Sequence, residues 1–215
     1  MQRLLTYFCQ IQRQSQRKFV ILQVVDYQAK LMGEQISDIA QELERLNTLK
    51  GKPFIRQLEL ITRYKGFLPI ESEPSVFHVG MEQDKDYKLL IDAARKAVEQ
   101  GYTVYLLPNP RNCRTADFIF EKKGSYAMYD LKTVYGKGSV GTQLLDSIGQ
   151  SNRILLNITS DYNARLLAAD IKTYFEVNRK AIEVLLFKGK KAISVNRYAT
   201  QSPKFYRQFR KKYEQ

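Results

Sequence analysis

The chain has 215 residues, enough for one domain with an appendage or for two small ones, and its 44% hydrophobic content suffices for a buried core. No stretch is long and apolar enough to span a membrane, and a net charge of +13 favours a polyanionic partner, with nucleic acid and an anionic membrane surface fitting the charge equally well. A single histidine, His78, and two cysteines, Cys9 and Cys113, exclude a two-histidine zinc site, a paired-histidine ribonuclease and a disulfide framework, so catalysis would fall to carboxylates and lysine.

Residues 1–50 read as helical. Leu4, Leu5, Phe8 and Ile11, then Phe19, Leu22 and Val25, recur at three to four residues, and Ile36, Ile39, Leu43 and Leu46 continue the stripe. The N-terminus lacks a signal-peptide apolar run and a small-residue cleavage site, which predicts no autonomous secretion signal. These helices would either pack on the rest of the chain or offer a partner surface. Gly51-Lys52-Pro53 punctuates, Phe54 to Tyr64 resumes the helical pattern, and Lys65 to Pro69 breaks it. The acidic run Glu71-Ser72-Glu73-Pro74 reads as a linker, which divides the chain into a helical N-terminal region, 1–70, and a second domain, 71–215, with a basic tail.

The spacing of Tyr87, Leu90, Ile91, Ala94 and Val98 predicts an amphipathic helix from Glu82 to Gln100, ended by Gly101. Asp86 lies near its start and Asp92 further round. Tyr102 to Leu107 is a β-branched and aromatic strand, closed by Pro108-Asn109-Pro110, and the loop that follows carries Arg111 and Arg114, either phosphate grips or surface charges.

Next comes a hairpin: a short strand opening with Asp117, a turn at Lys123-Gly124-Ser125, and a strand from Tyr126 to Tyr135. Side chains alternate across a strand, so Asp130 and Lys132 share one face and Tyr129 and Leu131 the other, with Asp117 a second carboxylate across the hairpin. Two converging carboxylates form a hard-oxygen site for Mg²⁺ or a similar divalent ion. A lysine beside them can hold the attacking water or neutralise charge on a scissile phosphate. The arrangement implies metal-assisted phosphodiester hydrolysis.

A helix from about Val140 to Gln150 follows, with Gln143, Ser147 and Gln150 on one side and Leu144, Leu145 and Ile148 on the core side, and then a strand, Ile154 to Ile158. Asp161 to Asn178 reads as a further amphipathic helix. Glu183 to Phe187 and Ala192 to Val195 make a closing hairpin whose tip presents Lys190 and Lys191 to phosphate. Residues 181–215 carry nine Lys/Arg against two Asp/Glu. In the tail, Arg207, Arg210 and Lys211 would contact nucleic acid, while Phe205, Phe209 and Tyr213 either stack on unpaired bases or, as a helical stripe, dock on the core.

Asp117 followed by Asp130-x-Lys132 on paired strands resembles the PD-(D/E)xK nuclease signature, with Ala116 where that family usually has proline. The wider pattern runs from Gly-Tyr-x-Val-x-Leu-Leu-Pro through Asp-Phe-x-Phe and Asp-Leu-Lys-Thr to a helix ending in Gln and an apolar strand. Over about a third of the chain, Asp86 to Ile158, it is most similar to the tRNA-cleaving C-terminal toxin domains of contact-dependent growth inhibition proteins. The resemblance implies an α/β fold with a restriction-endonuclease-like central mixed sheet flanked by helices. It also implies Asp117, Asp130 and Lys132 as catalytic residues, a divalent metal held by Asp117 and Asp130 with Asp86 as third ligand, and a substrate contact at Gln150. RNA, tRNA in particular, would be the substrate ahead of DNA, a cognate immunity protein the partner, and the bacterial cytoplasm the place of action.

Two other readings use the same residues. Asp and Lys two apart on a strand commonly form a solvated surface pair, although charges on a strand covered on both sides call for a functional reason. Gly136-Lys137-Gly138-Ser139-Val140-Gly141 has the glycine spacing of a dinucleotide fingerprint, with Asp161 about twenty residues on, yet the charges on the preceding strand disagree with the continuous apolar run of a buried parallel strand.

Overall fold

The computed structural model describes residues 30, 38, 39, 41–43, 45, 46, 49–79, 86–108, 116–136 and 140–215. Eight strands form one mixed sheet whose spatial order follows the chain: β1 (Leu68–Ile70), β2 (Glu73–His78), β3 (Thr103–Leu106), β4 (Phe118–Lys122), β5 (Ser125–Val134), β6 (Arg153–Ile158), β7 (Glu183–Lys188) and β8 (Lys191–Asn196). Neighbouring strands are antiparallel at the three hairpins and between β3 and β4; they are parallel wherever a helix intervenes. The helices are α1 (Gly51–Tyr64), α2 (Tyr87–Glu99) between β2 and β3, α3 (Val140–Asp146) between β5 and β6, and α4 (Ala164–Val177) between β6 and β7, followed by α5 (Arg197–Thr200) and α6 (Phe205–Glu214). The mixed α/β class expected from the sequence is thus present. Helical residues among 38–46 precede α1, and Ile39, Leu43 and Leu46 are buried with it; the remainder of the N-terminal stripe lies outside the described residues.

The segment read as a linker is instead a hairpin. Leu68 pairs with His78 and Pro69 with Phe77, and β2 then runs parallel to β3 through Val76 and Val104. A division at residue 70 falls inside that hairpin's turn. Val76 alone carries the apolar signal of β2 into the core, so acids and a proline at its start outweighed the strand pattern in the sequence.

Local chemistry explains the boundaries. Lys123 and Gly124, the two residues between β4 and β5, have φ of 54° and 75°, as a two-residue primed hairpin turn requires, and Glu121 accepts the Gly124 N–H at 2.7 Å. Asn163 caps α4, its Oδ1 accepting from the N–H groups of Arg165 and Leu166.

Both faces of the sheet are covered. One is packed by α2: Ala94 and Ala97 meet Val104, Phe118, Phe120, Tyr129, Leu155 and Phe187. The other is divided in two. Toward β3 and β4, α1 packs Leu58 and Ile61 near Ile119 and Leu107; toward β6 to β8, α3, α4 and α6 pack on Val134, Ile154, Leu156 and Leu186. Asp130 and Lys132 stand on this second face, between its two apolar clusters.

The basic tail is docked helix. Phe205, Phe209 and Tyr213 are buried on α6 and stack successively at 5.9 and 5.8 Å, which resolves the open choice in favour of core packing and leaves these rings no face for a base. Lys188 lies 4.0 Å from the centre of the Tyr213 ring, tying the end of α6 to the closing hairpin. Among the described residues, no helix is long and apolar enough to cross a membrane. Phe209→Ala should lower the unfolding free energy by about 3–5 kcal/mol, whereas Arg210→Ala on the exposed side of α6 should stay within about 0.5 kcal/mol. Urea unfolding followed by circular dichroism measures both, and equal effects would refute the docking.

Candidate active site

The site forms where β5 changes partners. Residues 125–129 pair with β4 and residues 130–134 with β6. The β4 ladder ends with the Asp117 N–H donating to Tyr129 O at 3.0 Å. The next β5 donor on that edge, the Leu131 N–H, has no strand opposite and is taken by Asp117 Oδ2 at 2.6 Å. A backbone donor inside a protein must find an acceptor; here the acceptor is a carboxylate. Register sets Phe118 against Tyr129, so Asp117 falls directly opposite Asp130, on the same face.

Lys132, two residues on, stands 2.8 Å from Asp130 Oδ2, without the alignment of a hydrogen bond, and donates to Gln150 Oε1 at 2.9 Å. Asp130 is only 3% exposed. Asp117 and Lys132 retain part of their surface, so the group is open to solvent on their side. Burial, and then the charge of Asp130, push the Asp117 carboxyl up to about 7, against the opposing pull of the Leu131 N–H and Lys132. Burial also raises Asp130, offset in part by Lys132. The metal-free pair therefore favours one proton held between two carboxylates.

On the same side, Tyr174 of α4 was legible only as part of an apolar stripe. Its phenol is buried, accepts from Asn178 Nδ2 at 3.1 Å, and is raised first by burial, with a contribution from the charge of Asp130. Behind β5, on the α2 face, the Tyr129 hydroxyl donates to Glu183 at 2.8 Å. There too, Lys96 and Asp92 of α2 bind the fully buried Asn157 of β6, each at 2.8 Å. Such anchors hold the central strands in place.

The remaining predicted residues are dispersed. Asp86 begins α2, which packs on the opposite face from Asp117 and Asp130, and is exposed; no group of three or more His, Cys, Asp or Glu side chains converges among the described residues. Gln150 is not on the helix. α3 ends at Asp146 and a turn follows, with Gly149 at φ 95°, which swings Gln150 to Lys132. The expected sidedness of this segment is also corrected: Ser147 is buried beside Leu144, its hydroxyl donating to Leu144 O at 2.6 Å, while Leu145 and Ile148 are exposed. Gln143 is partly buried, its Oε1 without a partner among the described residues. Lys190, Arg207, Arg210 and Lys211 are exposed and Lys191 partly so, away from the pair; Arg210 is engaged by Glu214 at 2.8 Å. Arg111 and Arg114 lie outside the described residues.

The first residue of the glycine-rich segment after β5 has its donor in use. Ser160 Oγ accepts the Gly136 N–H at 2.8 Å, and a Cβ at Gly141 would come 3.0 Å from Asp170 Oδ1. Gly141 thus permits the close approach of α3 and α4. Its place in the fingerprint spacing has this packing cause.

No protein-family model, curated protein or solved structure matches the chain.

A carboxyl raised on folding stabilises the fold only while it can keep its proton. In EDTA, the contribution of Asp117 to stability should therefore be complete below about pH 4 and be lost as pH climbs through the interval from 3.8 to about 7, where the unfolded carboxyl has ionised and folded Asp117 has not. Asp117→Asn should flatten that interval in a series of thermal melts. An unchanged slope would mean that Asp117 is not the group responsible.

Proposed function

We propose that the chain is a metal-dependent nuclease with a restriction-endonuclease-like core. The observation that carries this reading is the opposed pair Asp117 and Asp130, buried at a break in the backbone ladder, with Lys132 set beside it by Gln150. The run of α2, β3, β4, β5, α3 and β6 supports it: a helix, a three-stranded meander, a helix and a strand parallel to the last of the meander.

The residues fit a divalent cation. Burial, with the Asp130 charge beside it, holds the proton of Asp117 to near neutrality, and a cation placed between the two carboxylates would relieve that cost; their oxygens are the hard donors that Mg²⁺ accepts. Asp117 and Asp130 would hold it, and Asp86 would need to reach it from the other face. When bound, the ion supplies charge neutralisation at the phosphate and acidity to a coordinated water. The protein's part is positional. The Leu131 N–H fixes Asp117. Lys132, with one donor on Gln150 and Asp130 alongside, keeps N–H capacity for the attacking water or for a phosphate oxygen. Water adds across the P–O bond, giving a phosphate monoester and a free hydroxyl.

The resemblance to growth-inhibition toxin domains supplies the choice of RNA, tRNA foremost, a cognate immunity protein as partner, and action in the bacterial cytoplasm. The carboxylate geometry serves DNA equally, so both belong in one assay. With Mg²⁺ the purified protein should remove discrete bands from the tRNA fraction of total RNA. EDTA and Asp130→Ala should abolish this, and Lys132→Ala should slow it on the order of 10²- to 10³-fold. Cleavage of plasmid alone would keep the centre and replace the substrate by DNA. Binding without cleavage in any divalent metal would leave a nucleic-acid-binding module.

A further inference from the structure

On the face of the sheet that carries the carboxylate pair, a cleft of about 400 Å³ opens at the C-terminal end of α4, lined among others by Lys172, Phe175, Arg197, Thr200, Ser202 and Tyr206. That volume is in the range of small-molecule sites. Arg197 is fixed in it: its guanidinium donates to Phe175 O and, at 2.6 Å, to Asn178 O, carbonyls at the end of the helix, and stacks 5.6 Å from the Phe175 ring. Its other N–H groups have no partner among the described residues. Lys172 extends 5.9 Å from the centre of the Tyr206 ring, and Tyr206 is 41% exposed. The one acid lining the cleft, Glu176, is exposed and lies 3.9 Å from Lys172.

Cleft and carboxylate pair are linked through the end of α4. Asn178, whose carbonyl receives Arg197, donates its side-chain amide to Tyr174, the phenol that senses Asp130. The turn after α4 exposes Arg179 and Lys180 and returns beside the Gln150 turn, where the Ile182 N–H donates to Asn152 O at 2.8 Å. Next to Arg197, Tyr198 is 85% exposed. The exposed cations Arg179 and Lys180 thus lie on the stretch of chain between the cleft and the Gln150 turn, and every base offers a π-face to a ring while every linkage offers a charge to a cation.

We propose that this cleft seats one nucleotide of a single-stranded nucleic acid, its base on Tyr206 and its phosphate on Arg197 and Lys172, while the strand continues past the end of α4 to Asp117 and Asp130. The assignment of that second end rests on the nuclease reading; the cleft itself does not. It makes the substrate single-stranded where it leaves the scissile bond.

The test uses the full chain in EDTA, so that nothing is cleaved, with a short labelled single-stranded RNA of mixed sequence, the same sequence as a duplex, and a free nucleoside 5′-monophosphate. By fluorescence anisotropy, Tyr206→Ala should weaken single-strand binding about five- to a hundredfold and duplex binding little, with Tyr206→Phe restoring it. Lys172→Gln should reduce the slope of log affinity against log salt by about 0.7. Unchanged single-strand affinity in both Tyr206→Ala and Lys172→Gln overturns the proposal, as does a free monophosphate that binds as tightly as the strand. Adding Mg²⁺ to the same proteins separates the two readings. Cleavage with no effect of Tyr206→Ala on binding removes the cleft alone; the predicted binding losses with no cleavage remove the nuclease centre alone.

Discussion

The structure turns on one exchange of partners. A strand that leaves β4 at Tyr129 and joins β6 at Asp130 abandons a backbone donor on its first edge, and the donor is met by a carboxylate rather than by another strand. That substitution fixes Asp117 opposite Asp130 more firmly than side-chain packing would, because the backbone of β5 holds it. The cost is electrostatic: burial on a covered sheet raises the proton affinity of both carboxyls, and the charge of Asp130 raises that of Asp117 further. Lys132 offsets part of it, and its own freedom is limited by Gln150.

Such a patch survives because its surroundings over-determine it. On the α2 face, Phe118, Phe120 and Tyr129 pack closely, with the last two ring centres 4.9 Å apart, and Tyr129 is further pinned by Glu183, which also accepts from Ser194 of β8. Burial of this kind is worth about 1.5–3 kcal/mol per large side chain, enough in sum to carry a locally unfavourable charge pair. Removing only one member would not simply relieve the repulsion. Without Asp130, Lys132 loses its counter-ion; without Asp117, the Leu131 N–H loses its acceptor.

Much of this was legible in the sequence where period and turn chemistry agree. The hairpin around Gly124, the alternation placing Asp130 with Lys132, and the stripe of Phe205, Phe209 and Tyr213 follow from local rules. Three things were not. β1 is only three residues long, and β2 gives the core Val76 alone against Glu73 and Pro74 at its start, since one of its faces is partly open. The helix after β5 stops four residues before Gln150, and within it and the turn that follows, Leu145 and Ile148 are exposed while Ser147 is buried, the reverse of the sidedness that helical counting gave. The roles of Gly141 and Tyr174 depend on α4 packing across α3, a contact between segments about thirty residues apart that no local pattern encodes.

The charge distribution completes the physical picture. A chain of net +13 still keeps two acids together on its sheet, and under the proposed function a phosphate approaching them would meet repulsion that is weakly screened inside the protein and strongly screened outside it. Attraction must therefore come from a distance, and repulsion must be cancelled locally. The exposed Lys and Arg of α6, the closing hairpin and the turn after α4 supply the first. For the second, Lys132 is a single cation against two carboxylates, and its ammonium is already shared between Asp130 and Gln150. A proton would remove one of the two carboxylate charges but offers a phosphate no attraction, whereas under the proposed function a divalent cation would cancel the repulsion and be attractive to phosphate in its own right. Under the proposed function, the basic surface and the acidic centre would be two halves of one requirement, which is to bring a polyanion to a place that its own charge would otherwise avoid.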